Sequence, residues 1–201
     1  MQYATKDIIK AYGDMVEDRI RQGWDGYLLT FMFRQLSGSD WSVSRQMELE
    51  AERIYATLVT RVVRKPKSEK QIPQLPIMLC CPDFPVFKHT KSNLADIAIN
   101  DGRHLHGASL MPPTSRLRVS LTDHIAQHQD LYMRPEFPLI RLDVRPILHD
   151  AGYVVGYGYK ALQSGRASGD SVIILPRSHS EVTDSPAAGW RGLYSEMRVD
   201  R

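Results

Sequence analysis

The sequence predicts an α+β fold in which helices pack against a central, mainly antiparallel sheet. Two long segments have the apolar spacing of amphipathic helices, and several short apolar segments are bounded by glycine, proline or Asp-Gly, as strands are. The 201 residues are 42% hydrophobic and 24% charged, a composition typical of one compact domain. A chain of this length buries roughly 70% of its unfolded surface, so its stability does not depend on disulfides or a structural metal.

Composition also excludes several classes of protein. The 26 basic and 23 acidic residues give a net charge of +3, which excludes a polybasic binder and leaves a mild bias toward anionic partners. The adjacent Cys80 and Cys81 form neither a secreted disulfide framework nor a CxxC pair. No apolar run approaches the roughly 18 residues of a membrane span, and the charged N-terminus lacks a signal-peptide core. We therefore expect a cytoplasmic protein without membrane association.

The first third of the chain predicts helix, strand and helix. Residues 5–21 have one apolar face, made by Ile8, Ile9, Tyr12, Met15, Val16 and Ile20. A glycine-containing turn at 23–26 precedes the aromatic-rich segment 27–33, which we predict as a buried strand. Residues 42–64 predict a long helix with a single apolar stripe. The basic stretch 61–70 then indicates either a solvated helix end or a phosphate-binding patch.

The middle of the chain predicts one short strand and a hairpin. Four prolines in residues 72–87 favour irregular chain around a strand at 77–81. Asp101-Gly102 lies between two apolar-alternating runs, 94–100 and 103–111, a pattern typical of a β-hairpin. Further along, residues 120–131 predict a helix, and residues 139–145 and 172–175 predict strands.

Two histidines in the second arm of this hairpin form the first candidate site. His104 and His106 are two residues apart, so on a strand their imidazoles emerge on the same face while Leu105 faces the core. That spacing suits two ligands of one divalent metal, although such a pair on a half-exposed strand is structural about as often.

A tyrosine-rich segment, residues 152–162, forms the second candidate site. On a helix, Tyr153, Tyr157 and Lys160 share one face. On a strand, the tyrosines at 153, 157 and 159 are plain packing, and local propensity alone favours the strand because each glycine at 156 and 158 costs a helix about 1 kcal/mol.

Taken in order, the apolar strand at 28–33, the His-Leu-His strand and the Tyr-x-x-x-Tyr-x-x-Lys segment resemble the three motifs of the HUH superfamily of DNA endonucleases. The resemblance is to the branch of Rep-type rolling-circle replication initiators. It implies an HUH-like nuclease domain over residues 25–176, preceded by an N-terminal helical segment, 1–24, and followed by a C-terminal tail, 177–201. It also favours the helix for the tyrosine segment.

The resemblance further implies a role for each motif residue. His104 and His106 match the two metal ligands, Tyr157 matches the nucleophile, Tyr153 matches the second tyrosine of two-tyrosine members, and Lys160 matches the motif lysine.

The family adds a third polar ligand near the histidines. The candidate here is Asp96, which shares the histidine face if the hairpin turn has three residues and lies on the other face if it has two. His89 is an alternative ligand.

The function implied is metal-dependent nicking and rejoining of single-stranded DNA through a 5′-phosphotyrosine, with Mg²⁺ or Mn²⁺ as cofactor. The expected partners are single-stranded DNA or an origin DNA hairpin, together with a host helicase, since the chain is too short to include one. For such a DNA enzyme we expect the basic stretch 61–70 on the side of the sheet that carries His104 and His106. Two alternatives remain. One is a non-catalytic DNA-binding protein with an HUH-like fold, and the other is a metal-dependent phosphoesterase that uses water as its nucleophile.

Overall fold

The computed structural model describes residues 5–83 and 102–177. Six α-helices and five strands lie in these ranges: α1 (Thr5–Arg21), β1 (Asp25–Phe33), α2 (Asp40–Val62), β2 (Ile77–Asp83), β3 (His104–Met111), α3 (Leu121–Gln127), α4 (Gln129–Tyr132), β4 (Leu139–Pro146), α5 (Ala151–Gly158), α6 (Lys160–Gln163) and β5 (Ile173–Leu175). Short 3₁₀ helices occupy Glu69–Gln74 and Gly169–Ser171. Within the described ranges, no helix has both the length and the apolar character that crossing a bilayer requires.

The five strands form one sheet in the order β4-β1-β3-β2-β5, and every neighbouring pair is antiparallel. Helices pack against both faces of this sheet. The predicted α+β class with an antiparallel sheet is therefore confirmed.

Strand β3 lies at the centre of the sheet, and this position overturns the predicted hairpin. Its residues pair with β1 along one edge and with β2 along the other, from His104 to Met111. Both edges of β3 are occupied by β1 and β2, which leaves this strand no free edge for a hairpin partner, and the other predicted arm, residues 94–100, lies outside the described residues. The Asp-Gly turn signal depends on a few neighbouring residues, whereas pairing with the apolar strands β1 and β2 buries β3 along its whole length. Residues 89 and 96 lie outside the described residues.

The two faces of the sheet carry two separate apolar cores. Helix α2 and the segment containing α3 and α4 cover the first face, where Phe31, Leu105 and Tyr132 are fully buried. Helices α1, α5 and α6 cover the second face, above Leu79, Ala108 and Leu110. Because strand residues alternate between faces, the even-numbered side chains of β3 point toward this second layer. His104 and His106 belong to that set.

Helix α5 is held in place by α1 through a pair of glycines. A Cβ built on Gly13 would lie 3.4 Å from the Cα of Gly152, so the two helices approach closely there. The backbone N–H of Gly152 also donates a hydrogen bond to Glu17 Oε1 at 3.2 Å. The position of α5 over the sheet therefore depends on the N-terminal helix.

The basic stretch 61–70 lies at the end of the sheet away from the histidines, which corrects the expectation that it faces them. The start of α2 is tied to the start of β3 by an ion pair between Asp40 and Arg103 at 2.7 Å. The end of α2 lies by the far end of β3, where the Arg116 N–H donates to the Val62 carbonyl at 3.0 Å. An eight-residue strand is about 26 Å long, so the helix carries these cations to the opposite end.

Candidate metal centre

Strand pairing brings three ligand-type side chains together at one end of the sheet. Asp83, the last residue of β2, is the Cα partner of His104, and His106 follows two residues along β3 on the same face. The Nε2 atoms of the two histidines are 3.0 Å apart. Asp83 Oδ2 lies 3.4 Å from the Nε2 of His104 and 3.6 Å from that of His106. This buried Asp-His-His group could hold a metal ion.

The three distances fit the bond lengths of a divalent ion. A point about 2.1 Å from all three atoms exists about 0.8 Å out of their plane, and 2.0–2.2 Å is the usual length of metal bonds to imidazole and carboxylate. Three protein donors would leave the remaining coordination positions of a divalent ion for other ligands. Two imidazoles and one carboxylate suit first-row divalent metals as a class, and the arrangement does not identify one of them.

The carboxyl group of Asp83 is ionised despite being buried. Burial opposes its charge, but hydrogen bonds from His104 and Lys160, together with the charges of these two residues, outweigh burial and lower the pKa to about 2. The Lys160 Nζ atom lies 2.6 Å from Asp83 Oδ2. At neutral pH the group is therefore in the carboxylate form that binds metal.

The imidazole of His106 is neutral at neutral pH. Burial is the main cause that lowers its pKa, and electrostatic repulsion from His104 and Lys160 acts in the same direction. Asp83 and a hydrogen bond to the backbone of Leu29 oppose the shift, and the resulting pKa is about 4. A neutral imidazole keeps a lone pair for a metal, so the second ligand is also in its binding form.

The inner ring nitrogens of both histidines have partners outside the Asp-His-His group. His104 Nδ1 lies 2.8 Å from the carbonyl oxygen of Gly102, to which it donates. His106 Nδ1 lies 3.0 Å from the hydroxyl oxygen of Thr30 on β1. These contacts orient the rings so that their Nε2 atoms face each other, which is the role of outer-shell partners in metal sites.

The tyrosine-rich segment is helical, so the strand interpretation is wrong. Asp150 caps the start of α5 by accepting a hydrogen bond from the N–H of Tyr153 at 2.9 Å. A Cβ on Gly158 would lie 3.9 Å from the Cβ of His106, so this glycine lets the helix end close to β3. Tertiary packing against the second face, with the cap, outweighs the local strand propensity.

Helices α5 and α6 bring Tyr157 and Lys160 to the histidines. The Tyr157 ring centroid lies 5.5 Å from that of His106, and Lys160 Nζ lies 4.5 Å from the centre of the Tyr157 ring. Tyr157 is 44% exposed, and Tyr153, one turn earlier, is 69% exposed. A phenol and an ammonium group thus stand beside the candidate metal ligands, with the phenol open to solvent.

The third tyrosine of the segment has a structural role. Tyr159 is buried and its ring stacks on that of Tyr12, with the centroids 5.5 Å apart. Burial raises the pKa of its phenol well above the ordinary value, so it resists ionisation. It packs α5 and α6 against α1.

Sequence reasoning missed Asp83. The strand was predicted to end at Cys81 because Pro82 follows, but β2 continues through Pro82 to Asp83. Strand alternation could have identified it. Asp83 is an even number of residues from Leu79 and Cys81, which lie on the second face of the sheet, so its side chain is on that face too. Asp96 and His89, the ligands expected from the hairpin, lie outside the described residues and stay predictions.

A second histidine pair, His124 and His128, lies at the end of α3 and is partly in the core. His124 is buried, and its Nε2 lies 2.9 Å from the hydroxyl of Tyr132. His128 Nδ1 donates to the carbonyl oxygen of His124 at 3.0 Å. Within residues 5–83 and 102–177, the group of Asp83, His104 and His106 is the one set that could hold a metal ion.

Comparison with models of known families, with curated proteins and with solved structures found no match for this chain. The resemblance to HUH endonucleases therefore rests on the sequence motifs alone and stays a prediction.

Proposed function

We propose that this protein is a divalent-metal-dependent enzyme that cleaves and rejoins a phosphodiester bond of single-stranded DNA, with Tyr157 as the nucleophile. The observation that carries the proposal is the grouping of a phenol, an ammonium group and an Asp-His-His ligand set. The Tyr157 ring lies 5.5 Å from the His106 ring, and Lys160 lies against both Tyr157 and Asp83. A phosphoryl transfer to tyrosine can use a phenol as nucleophile and a bound metal and a cation to stabilise charge on the phosphate.

Asp83, His104 and His106 would hold the metal, and Mn²⁺ or Mg²⁺ are the ions that we expect to work. Imidazole is a better ligand for Mn²⁺ than for Mg²⁺, whereas the carboxylate suits both. A bound divalent ion would polarise the scissile phosphate and neutralise the negative charge that develops on it.

The covalent step uses residues of this chain. The Tyr157 oxygen attacks phosphorus and loses its proton to solvent, a phosphorus–oxygen bond to Tyr157 forms, and the bond to the 3′ oxygen breaks. The 3′ oxygen takes a proton, which leaves a 5′-phosphotyrosine and a free 3′-hydroxyl. The Lys160 ammonium, 4.5 Å from the centre of the Tyr157 ring, would offset negative charge on the reacting groups. Because the ester bond is conserved in the intermediate, attack by a 3′-hydroxyl rejoins the strand without ATP.

Positive side chains on the same face of the sheet would contact phosphates of the strand. Thr30 is the Cα partner of both His106 and Asp143, so the side chains of Arg141 and Arg145 lie on the histidine face, and both are exposed. Arg141 and Arg145, rather than the basic stretch 61–70, would therefore contact the phosphates of the strand. Phosphate contacts of this kind position a nucleic acid without reading its sequence.

The test is the formation of a covalent adduct. Labelled single-stranded DNA incubated with the protein and Mn²⁺ should give a protein–DNA band that protease removes, and Tyr157→Phe should abolish that band. Tyr159→Phe is the matched control, because it removes a buried hydroxyl from the same segment and should leave the adduct. An adduct with Tyr157→Phe would show that another residue is the nucleophile.

A metal-dependent phosphoesterase is the second candidate, because the ligand group leaves coordination positions open for water. It would cut the same DNA and release both ends without an adduct, and Tyr157→Phe would retain the cutting. DNA binding without cleavage in any divalent metal would instead support a non-catalytic DNA-binding protein.

A further inference from the structure

A basic patch lies at the end of the sheet opposite the candidate metal centre, and the proposed cleavage does not use it. Two segments form this patch: the end of α2 with the loop that follows, residues 61–70, and the chain after β3, residues 116–118. The Arg116 N–H donates to the Val62 carbonyl oxygen at 3.0 Å, which holds the two segments side by side. All basic side chains of the patch are exposed: Arg61, Arg64, Lys65, Lys67, Lys70, Arg116 and Arg118.

The patch carries more positive charge than the chain as a whole. Its seven cations and Glu69, the one acidic residue of the two segments, give a net charge of +6. Of the 26 basic and 23 acidic residues of the whole chain, the remaining 19 basic and 22 acidic residues give −3. Within the described residues no ion pair involves any of the seven cations, whereas Lys10, Arg21 and Arg134 have acidic partners at 2.6, 2.9 and 3.9 Å. Charge gathered in this way attracts anions more strongly than the small net charge indicates.

Stabilisation of the helix end does not account for the patch. Cations near the C-terminus of a helix interact favourably with its backbone carbonyls, but this effect falls off within the last turn. Helix α2 ends at Val62, and Arg61 is the basic residue of its last turn. The other six cations lie beyond the helix and repel one another. A partner with regularly spaced negative charge would offset this repulsion.

The side chains of the patch favour duplex DNA over a single strand or a membrane. Surfaces that bind single strands combine cations with aromatic side chains on which the bases stack, and neither segment contains an aromatic residue. Insertion into a membrane surface needs an apolar helix face, but the apolar face of α2 is buried in the first core. In a duplex the phosphates are exposed while the bases are stacked inside, so contacts from Arg and Lys alone support binding.

We infer that the basic patch is a second DNA-binding surface, which holds the phosphate backbone of duplex DNA; the choice of DNA as the nucleic acid rests on the proposed function. The patch and the candidate metal centre lie at opposite ends of β3, which is about 26 Å long. Since each base pair of a duplex rises about 3.4 Å, about 8 base pairs span this distance. A duplex on the patch is therefore bound apart from the strand at Tyr157, and it is bound without reading of its sequence.

The test measures binding of the full-length protein to a short fluorescently labelled duplex by anisotropy, with EDTA present so that no divalent metal takes part. The test variant replaces three exposed cations of the loop: Arg64→Gln, Lys65→Gln and Lys67→Gln. It should bind at least about 10-fold more weakly, and the slope of log affinity against log salt should become shallower by about 3, or about one for each phosphate contact. The matched control removes the same charge from three ion-paired cations elsewhere and should bind as wild type: Lys10→Gln, Arg21→Gln and Arg134→Gln.

Equal losses in the two triple variants would mean that binding follows total charge, and this would overturn the role of the patch. A wild-type protein that binds vesicles of anionic lipid but no duplex would overturn it as well. Thermal melts verify that both variants are folded. The adduct assay on a short single strand separates this inference from the proposed function. Duplex binding that depends on the patch, in a protein that forms no adduct, would overturn the cleavage proposal alone, whereas a normal adduct with wild-type duplex binding by the test variant would overturn the patch alone.

Discussion

The described residues contain two histidine pairs whose rings are almost equally far apart but whose chemistry differs. The rings of His104 and His106 are 4.6 Å apart, and those of His124 and His128 are 4.7 Å apart. Each pair also has a tyrosine nearby, with centroids 5.5 Å apart for His106 and Tyr157 and 5.8 Å apart for His124 and Tyr132. Ring proximity therefore does not distinguish a candidate metal ligand group from a packed core group.

The direction of the ring nitrogens makes the difference. In the strand pair, the inner nitrogens are held by Gly102 and Thr30, so both Nε2 atoms converge on the carboxylate of Asp83. In the helical pair, His124 Nε2 bonds to the Tyr132 hydroxyl and His128 Nδ1 bonds to the carbonyl of His124. Convergent lone pairs with a carboxylate make a candidate metal centre, and internal hydrogen bonds make a structural cluster.

The substitution Asp83→Asn should have the largest effect on this contrast. Losing the one carboxylate ligand removes a charge from the donor set and leaves the Lys160 ammonium beside the ion without its counter-charge. We expect Mn²⁺ affinity to fall by more than about 100-fold, beyond the loss seen for outer-shell changes. Calorimetric titration measures this, and a thermal melt verifies that the variant is folded. His128→Asn is the control from the other pair and should bind as wild type; an equal loss there would contradict the contrast.

Removing each tyrosine hydroxyl should have opposite consequences in the two clusters. Tyr132→Phe leaves the buried Nε2 of His124 without its partner, so the free energy of unfolding should fall by about 1–3 kcal/mol while the DNA adduct still forms. Tyr157→Phe alters a partly exposed side chain, so stability should change by less than about 0.5 kcal/mol while the adduct is lost. Urea unfolding and the adduct assay separate these outcomes. Large destabilisation by Tyr157→Phe would mean that this tyrosine is a packing residue.

The smallest predicted effect is a pH dependence of the free energy of unfolding, which tests whether His124 has a structural role. Burial lowers the pKa of His124 below its ordinary value of 6.5, and electrostatic repulsion from His128 and Arg61 acts in the same direction. Below pH 6.5 the unfolded chain therefore binds a proton that the folded chain does not, so stability from this group is present above that pH and is lost as the pH falls. Urea unfolding at pH 7.5 and 5.5 should show a smaller decrease for His124→Gln than for wild type. Equal decreases would contradict this role.

Much of the fold follows from local patterns. The bounds of α1 and the strand containing His104 and His106 were predicted within about a residue, because amphipathic spacing and strand alternation are strong in these segments. The strand β1 and the helix α2, also in the first third of the chain, are long enough for periodicity to identify them. The single helix predicted over residues 120–131 is divided into α3 and α4 at His128, a short break that periodicity does not detect.

The candidate site was predicted only in part, since its third member depends on long-range pairing. Asp83 follows a proline, which weakens the local strand signal, and its closeness to His104 arises from the β2–β3 register. The same register replaced the predicted hairpin. The helical state of the segment around Tyr157 likewise depends on packing against α1 through Gly13 and Gly152, which no local propensity describes.

The order of the elements along the chain has a consequence for how the site is assembled during synthesis. Thr30, Asp83, His104 and His106 lie on β1, β2 and β3, all of which leave the ribosome before α5. The strands that align the candidate metal ligands are therefore synthesised before Tyr157. The helix that carries Tyr157 packs against α1, which is synthesised before these strands. Alignment of the ligands is then a property of strand pairing, whereas the position of the phenol is decided by a later docking event that can be altered independently.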